Sequence, residues 1–164
     1  MNNTINIRSK YLDSSAAIKL VVSEVCSDVV QKYFEGGGPF YITSMCVVET
    51  LSALKVKHLY RKELTQEQYF AAAYAFLSFL RDSLHVEDVD LENHHVFFDT
   101  EELAKRHGLD MVDALQLFTL KHGRFSNYVG RSKSLLITAD EALAKAARAE
   151  GLEAWDCIHE AAPE

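Results

Sequence analysis

Short apolar runs alternate along this chain with longer segments in which apolar residues recur at helical spacing. The short runs predict buried strands at residues 10–12, 40–42, 84–89, 134–137 and 152–155. The longer segments predict helices at residues 15–22, 27–34, 45–60, 65–84, 92–107, 110–122 and 140–150. Strands that alternate with helices predict an α/β fold, in which helices cover both faces of a central, mostly parallel sheet.

Several predicted helices carry residues that mark their ends. Thr65 and Gln68 have the spacing of a capping box at the start of the fourth helix. Gly108, Gly123 and Gly151 each follow a predicted helix, as glycine stop signals do. No repeat, low-complexity tract or linker interrupts the pattern. The 164 residues (1–164) are therefore expected to form a single domain.

Two aspartates directly follow predicted strands. Asp13 comes after the first strand and Asp140 after the fourth. Sites in parallel α/β sheets form outside the carboxyl ends of the strands, so both side chains are candidates for one site. Each also suits the start of a helix. Asp13 would be an N-cap unless Ser14 or Ser15 takes that place, and Asp140 would lie in the first turn of a helix that Thr138 caps.

Two further acids lie on predicted helices whose faces are mostly apolar. Glu49 has Cys46 among its neighbours at helical spacing, and Asp113 has apolar residues on nearly every side. A buried carboxylate needs a partner, a proton or a metal ion. For Glu49 the alternative is an edge position with its tip in water. For Asp113 the alternative is a salt bridge to Arg106 or Lys121.

Carboxylates that converge on one point cannot all stay ionised without cations. Hard oxygen ligands favour Mg²⁺ or Mn²⁺. Such ions beside a phosphodiester activate a water molecule and stabilise the charge that develops on the phosphate oxygens. The four acids therefore indicate a metal site suited to phosphodiester hydrolysis.

The composition limits the class of protein. Apolar residues make up 48% of the chain and charged residues 25%, as in soluble globular proteins. We expect a cytoplasmic protein, because no secretory signal or membrane-spanning apolar run occurs and the three cysteines have neither zinc nor disulfide spacing. The net charge of −7 argues against nucleic-acid binding through a global basic field. It is compatible with a carboxylate cluster that binds metal.

The four acids, with their flanking residues, resemble the PIN-domain family, specifically the VapC-like toxin ribonucleases of bacterial toxin–antitoxin pairs. The resembling segments are YLDSSAAIKL around Asp13, TSMCVVETLSAL around Glu49, GLDMVDALQL around Asp113 and LITADEALAKAARAEGL around Asp140. Together they cover nearly the whole chain, from about residue 10 to residue 155. Each segment is weak evidence alone, and their shared order carries the resemblance.

The resemblance implies a three-layer α/β/α fold and Mg²⁺- or Mn²⁺-dependent hydrolysis of RNA phosphodiester bonds. It implies that Asp13, Glu49 and Asp113 are the core metal ligands and catalytic residues, with Asp140 as a fourth, more peripheral acid.

The resemblance also extends to neighbouring residues and to partners. It implies that Ser14 and Thr138 assist through hydrogen bonds to ligands or water. It implies a homodimer, and a small antitoxin protein that inserts into the groove of the active site. No membrane association is expected.

Residues 124–133 make the segment between the last two acidic motifs longer than a compact family member would have. Together with Lys121 just before it, this region interleaves basic with aromatic residues, namely Arg124, Phe125, Tyr128, Arg131 and Lys133. Such side chains suit phosphate contacts and base stacking, so the four basic residues are predicted to bind RNA. A merely solvated loop is the equal alternative.

Two other functions stay open at this level. One is a PIN nuclease with a housekeeping role in RNA or DNA processing, and the other is a catalytically silent PIN-like binding module. A neighbouring small gene for a DNA-binding antitoxin, or growth arrest when this chain is expressed alone, would favour the toxin.

Overall fold

A computed structural model describes residues 8–163 of the chain. It contains a five-stranded sheet in the order β3-β2-β1-β4-β5, with every neighbouring pair parallel. The strands are β1 (Lys10–Leu12), β2 (Phe40–Ile42), β3 (Leu84–Val86), β4 (Leu135–Thr138) and β5 (Glu153–Asp156). The predicted parallel α/β sheet is thus confirmed. The predicted domain 1–164 includes residues outside the described range and stays a prediction.

Helices connect the strands and cover both faces of the sheet. They are α1 (Ser14–Ala17), α2 (Ser27–Glu35), α3 (Ser44–Leu59), α4 (Gln66–Asp82), α5 (His94–His107), α6 (Met111–His122) and α7 (Glu141–Ala149). Within residues 8–163, no helix combines the length and the apolar character that a membrane span needs.

Two apolar cores form because successive side chains of a strand point to opposite faces. Leu12, Leu135 and Ile137 enter the core that α1 to α4 cover, which also contains Phe76 of α4. Tyr11 and Leu136, the alternate residues, enter the core beneath α5, α6 and α7. The protein is therefore a three-layer α/β/α structure, as the resemblance implied.

The ends of several elements differ from the prediction. The first predicted helix stops early, and a 3-10 turn at Ile18–Leu20 follows α1. Leu84 was expected both in a helix and in a strand. It belongs to β3, where it pairs with Phe40 of β2 and its side chain is fully buried. The capping box of Thr65 and Gln68 is present at the start of α4.

Two of the predicted glycine stops work in different ways. Gly108 ends α5 in the left-handed conformation, with φ of 65°, as expected. Gly123 ends α6 with extended backbone, at φ −75° and ψ −171°. A Cβ atom there would lie 2.3 Å from the Thr119 carbonyl oxygen. Close packing, not a positive φ, therefore requires glycine at this position.

Glu150 ties together the carboxyl-terminal ends of three helices. Its carboxylate accepts hydrogen bonds from Arg106 at 2.8 Å, from His107 at 2.6 Å and from Lys121. Burial by itself would raise the pKa of Glu150, but these three donors outweigh it and lower the pKa to about 2. Because Arg106 and Lys121 both bind Glu150, the alternative that one of them pairs with Asp113 is wrong.

Replacing Glu150 by Gln is expected to destabilise the fold by about 2–3 kcal/mol at neutral pH. A carboxyl whose pKa is lowered by folding stabilises the folded state above its unfolded pKa. That contribution disappears as the pH falls towards about 2. Urea unfolding of wild type and Glu150→Gln across this pH range measures the difference. Glu35→Gln, which removes an exposed carboxylate, is the control. A loss of stability that does not change with pH would contradict this account.

Candidate metal centre

Asp13 lies at the carboxyl edge of the sheet, immediately after β1. Its backbone N–H donates to the Ile137 carbonyl of β4 at 3.0 Å, and the residue is only 3% exposed. Its carboxylate is the N-cap of α1 and accepts from the backbone N–H groups of Ser14 and Ser15 at 2.6 and 3.2 Å. The alternative that a serine caps α1 in place of Asp13 is therefore wrong.

Hydroxyl groups fix the second oxygen of this carboxylate. The Asp13 Oδ2 atom accepts from Ser15 Oγ at 2.5 Å and from Thr138 Oγ1 at 2.9 Å. Ser15 also links the two strand ends, because its oxygen accepts from the backbone N–H of Ala139. Thr138 is one of the predicted assisting residues. The sequence analysis named Ser15 only as a possible N-cap and missed this contact. Its position two residues after Asp13 is the signal that could have indicated it.

Asp140 is exposed and is the N-cap of α7. One carboxylate oxygen accepts from the backbone N–H groups of Ala142 and Leu143 at 2.7 and 3.0 Å. Thr138 does not cap this helix. Its hydroxyl accepts from the N–H of Asp140 and donates to Asp13, so the capping alternative for Thr138 is wrong.

Glu49 reaches Asp13 from α3. One ligand atom each of Asp13, Glu49 and Cys46 lies within 4.8 Å of the others. Glu49 is half-buried, and this burial raises the pKa of its carboxyl. The nearby Ser14 hydroxyl counteracts the shift, while the charges of Asp13 and Asp110 add to it. Ser14, predicted as an assisting residue, thus lies beside Glu49 as well as Asp13.

Asp113 lies in the first turn of α6 and is not a member of that closest group in the described part of the chain. Burial raises its pKa to about 7, with the charges of Asp13, Asp110, Asp140 and Glu49 contributing in that order. The four predicted acids therefore lie close enough for the charges of the other three to raise the pKa of Asp113. Asp110, which caps α6 through its carboxylate, is a fifth acid there that the sequence prediction missed.

A pair of buried polar side chains lies behind the acids. The Cys46 thiol donates to Gln116 Oε1 at 2.6 Å and lies 3.9 Å from Asp13 Oδ1. Gln116 is 1% exposed, and its Nε2 atom has no partner among the described residues. Helical spacing could have indicated that Cys46 and Gln116 lie near the acids. Cys46 precedes Glu49 by one turn, and Gln116 follows Asp113 by one turn.

The donor set fits a divalent cation. Across residues 8–163, no Lys, Arg or His side chain forms an ion pair with Asp13, Glu49, Asp113 or Asp140. Carboxylate oxygens without a cationic partner are what Mg²⁺ or Mn²⁺ would bind. Burial raises the pKa of the Cys46 thiol well above its usual range, which disfavours a thiolate ligand and leaves the oxygens as donors.

Most of the predicted RNA-binding residues lie away from the acids. Lys121 binds Glu150 at the end of α6, and Lys133 donates to the Gly151 carbonyl at 2.6 Å, before the start of β5. Arg124 lies 3.8 Å from Glu87, and Arg131 is exposed in the 3-10 turn before β4. Lys121, Arg131 and Lys133 therefore lie apart from the acids, whereas Arg124 lies at the same edge of the sheet as the acids, because Glu87 directly follows β3. The role of all four residues in RNA binding stays a prediction.

The fold and the acids define a parallel α/β protein with an oxygen-rich centre suited to a divalent metal ion. The family model of the PIN domain matches residues 10–149, and the chain belongs to the PIN domain family. PIN domains are generally metal-dependent nucleases. The resemblance to the PIN-domain family is thus confirmed, and the likeness to VapC-like toxins stays a prediction.

A solved structure shows the same fold. The chain is similar to PAE2754 from Pyrobaculum aerophilum, with 15% sequence identity and a TM-score of 0.57 over 88% of this chain and 87% of that chain. At this level of identity the likeness concerns the fold alone. The comparison with curated proteins finds no match.

Replacing Asp113 by Asn is expected to stabilise the metal-free protein at about pH 8 by roughly 1–2 kcal/mol, after allowance for solvent screening. Folding raises the pKa of Asp113 to about 7, so the ionised carboxyl destabilises the folded state above that pH. The cost vanishes below the ordinary pKa of aspartate. Urea unfolding in EDTA at low and high pH tests this, with Asp99→Asn on the exposed face of α5 as the control. An equal effect at both pH values would count against the prediction.

Proposed function

We propose that this protein is a Mg²⁺- or Mn²⁺-dependent endoribonuclease and the toxin of a toxin–antitoxin pair. The observation that carries the proposal is the buried carboxylate of Asp13 beside Glu49, with no cationic side chain of the described residues to neutralise them. The order of the four acidic segments, which resembles that of the VapC-like toxins, supports the choice of RNA and the toxin role.

In this proposal Asp13, Glu49 and Asp113 are the metal ligands and Asp140 is an outer acid. Asp140 takes the outer place because it is exposed and its carboxylate already caps α7. The bound ion would supply a Lewis acid that activates water and stabilises charge on the phosphate. Burial and the neighbouring acids raise the pKa values of Glu49 and Asp113, so without a cation these two carboxyls bind a proton more readily than exposed ones do.

The hydroxyl groups around Asp13 have a positioning role in the proposal. Thr138 and Ser15 both donate to Asp13 Oδ2, and the backbone N–H of Ser14 donates to Oδ1. These bonds fix the carboxylate before a metal ion arrives, so little reorganisation is needed on binding. The Ser14 hydroxyl, from the same turn, hydrogen-bonds to Glu49 and by itself lowers the pKa of that carboxyl.

Asp13→Asn is expected to reduce metal-dependent RNA cleavage at least about a hundredfold, because loss of a ligand removes several kcal/mol of transition-state stabilisation. Cleavage of total RNA with Mg²⁺ or Mn²⁺ measures the effect, and EDTA should abolish the wild-type activity. Asp99→Asn removes an exposed carboxylate of α5 and should cleave like wild type. Cleavage that persists in EDTA and in the Asp13→Asn variant would contradict the mechanism.

The toxin role predicts that expression of the wild-type chain alone arrests bacterial growth, whereas Asp13→Asn does not, because arrest requires RNA cleavage. Growth curves after induction give the measurement. Co-expression of a small antitoxin from a neighbouring gene should restore growth. RNA cleavage without growth arrest would favour the housekeeping nuclease, and absence of both cleavage and Mn²⁺ binding would favour the silent binding module. Sedimentation of the purified chain tests the proposed homodimer.

A further inference from the structure

The segment between α6 and β4 forms an aromatic stack on the face of the sheet that α5, α6 and α7 cover. The Phe125 ring packs at a tilt against Tyr41 and edge-on against Tyr11, with ring centroids 4.7 and 6.4 Å away. Tyr128 stacks on Phe125 at 5.9 Å, with 26° between the ring planes. Tyr128 is 51% exposed. The stack therefore begins on two buried strands and ends in a ring that is open to solvent.

A basic cleft of about 580 Å³ begins at Val129, the residue after Tyr128 in the chain. Arg8, Val129, Gly130, Arg131, Lys133 and Glu153 line it. Arg8 donates to the Lys133 carbonyl at 2.8 Å, and Lys133 donates to the Gly151 carbonyl at 2.6 Å. Carbonyl groups hold these side chains in place without neutralising their charge.

The cleft is positively charged although the protein is acidic. Its lining has three basic side chains against one carboxylate, a net charge of +2, in a chain whose net charge is −7. Glu153 lies 3.7 Å from Arg8 and offsets only that charge. Arg131 is exposed and forms no ion pair or side-chain hydrogen bond within the described part of the chain. Its guanidinium group is thus free to bind an anion.

We propose that Tyr128 and this basic cleft bind a segment of single-stranded RNA. One nucleobase stacks on the outer face of Tyr128, and the adjoining phosphates bind Arg131, Lys133 and Arg8. Aromatic rings beside basic side chains are the combination that single-stranded nucleic acid requires, since each nucleotide offers a flat base and a charged phosphate. This inference rests on the proposed ribonuclease function and extends it to substrate recognition.

The position of the cleft determines which part of the RNA it contacts. Arg8 and Lys133 precede β1 and β4, whereas Asp13 and Asp140 follow those strands. The two regions lie on opposite edges of the sheet, separated by the length of β1, about 13 Å from Ser9 to Asp13. The cleft therefore holds nucleotides outside the cleaved bond, and it increases affinity for the substrate without taking part in the chemistry.

The test measures RNA binding apart from cleavage. The probe is a fluorescein-labelled single-stranded RNA of mixed sequence, about 12 nucleotides long. It is titrated by anisotropy with protein carrying Asp13→Asn, in EDTA. In this background Arg131→Gln with Lys133→Gln should weaken the Kd about tenfold or more, and the slope of log Kd against log salt concentration should fall by about two. Lys32→Gln with Lys55→Gln removes the same charge from exposed sites and should change neither quantity.

Replacement of Tyr128 separates stacking from charge. Tyr128→Ala should weaken binding of the single-stranded probe about tenfold and leave binding of a duplex RNA of equal length unchanged, because the bases of a duplex are already stacked. Tyr74→Ala, which removes a similarly exposed ring from α4, is the control. Equal loss of single-stranded and duplex binding would overturn the stacking contact.

Wild-type Kd and salt slope in the Arg131 and Lys133 variant would overturn the cleft as an RNA site, even if the enzyme cleaves RNA. Conversely, failure of the proposed nuclease shows as absence of cleavage by the protein with intact Asp13, whatever the binding assay gives. If Lys133→Gln perturbs folding, Arg131→Gln alone tests whether the cleft binds RNA. Arg131 supports no other contact, and its loss should reduce the salt slope by about one.

Discussion

Repulsion among carboxylates at the carboxyl edge of the sheet is the constraint on which the site depends. Asp13 is held there by the first strand, Glu49 reaches it from α3, and Asp113 approaches from α6. Burial and the neighbouring charges raise the pKa of Asp113 to about 7. The folded chain tolerates this arrangement without an ion pair from a basic side chain of residues 8–163. Protons or a bound cation are therefore needed to neutralise the carboxylates.

Helix starts provide part of that balance. Asp13, Asp110 and Asp140 are the N-caps of α1, α6 and α7, and each accepts backbone N–H groups that would otherwise be unpaired. Capping and metal binding are therefore compatible for Asp13, because hydrogen bonds from N–H and hydroxyl groups orient the carboxylate without removing its charge. Asp140 is also an N-cap, but its side chain is exposed, whereas that of Asp13 is buried.

The opposite edge of the sheet has the opposite charge character. Arg8, Arg131 and Lys133 line the cleft there, and carbonyl groups hold Arg8 and Lys133 in place. The parallel arrangement separates the two groups of charges. All strands point the same way, so the loops that enter the strands lie at one edge of the sheet and the loops that leave them lie at the other. In the proposed function, an RNA strand bound across both edges would meet the acids at the cleaved phosphodiester and the basic groups at the cleft.

Local patterns in the sequence determined most of the architecture. The bounds of β1 and β2 match the predicted runs at 10–12 and 40–42, and most helices match within two residues at each end, because periodicity and caps act between neighbours in the chain. Tertiary structure alone decided that Arg106 and Lys121 bind Glu150 and that Cys46 donates to Gln116 behind the acids. It also decided that the long loop packs Phe125 against Tyr41. These contacts join residues distant in sequence, and their choice among several possible partners depends on packing that no local pattern encodes.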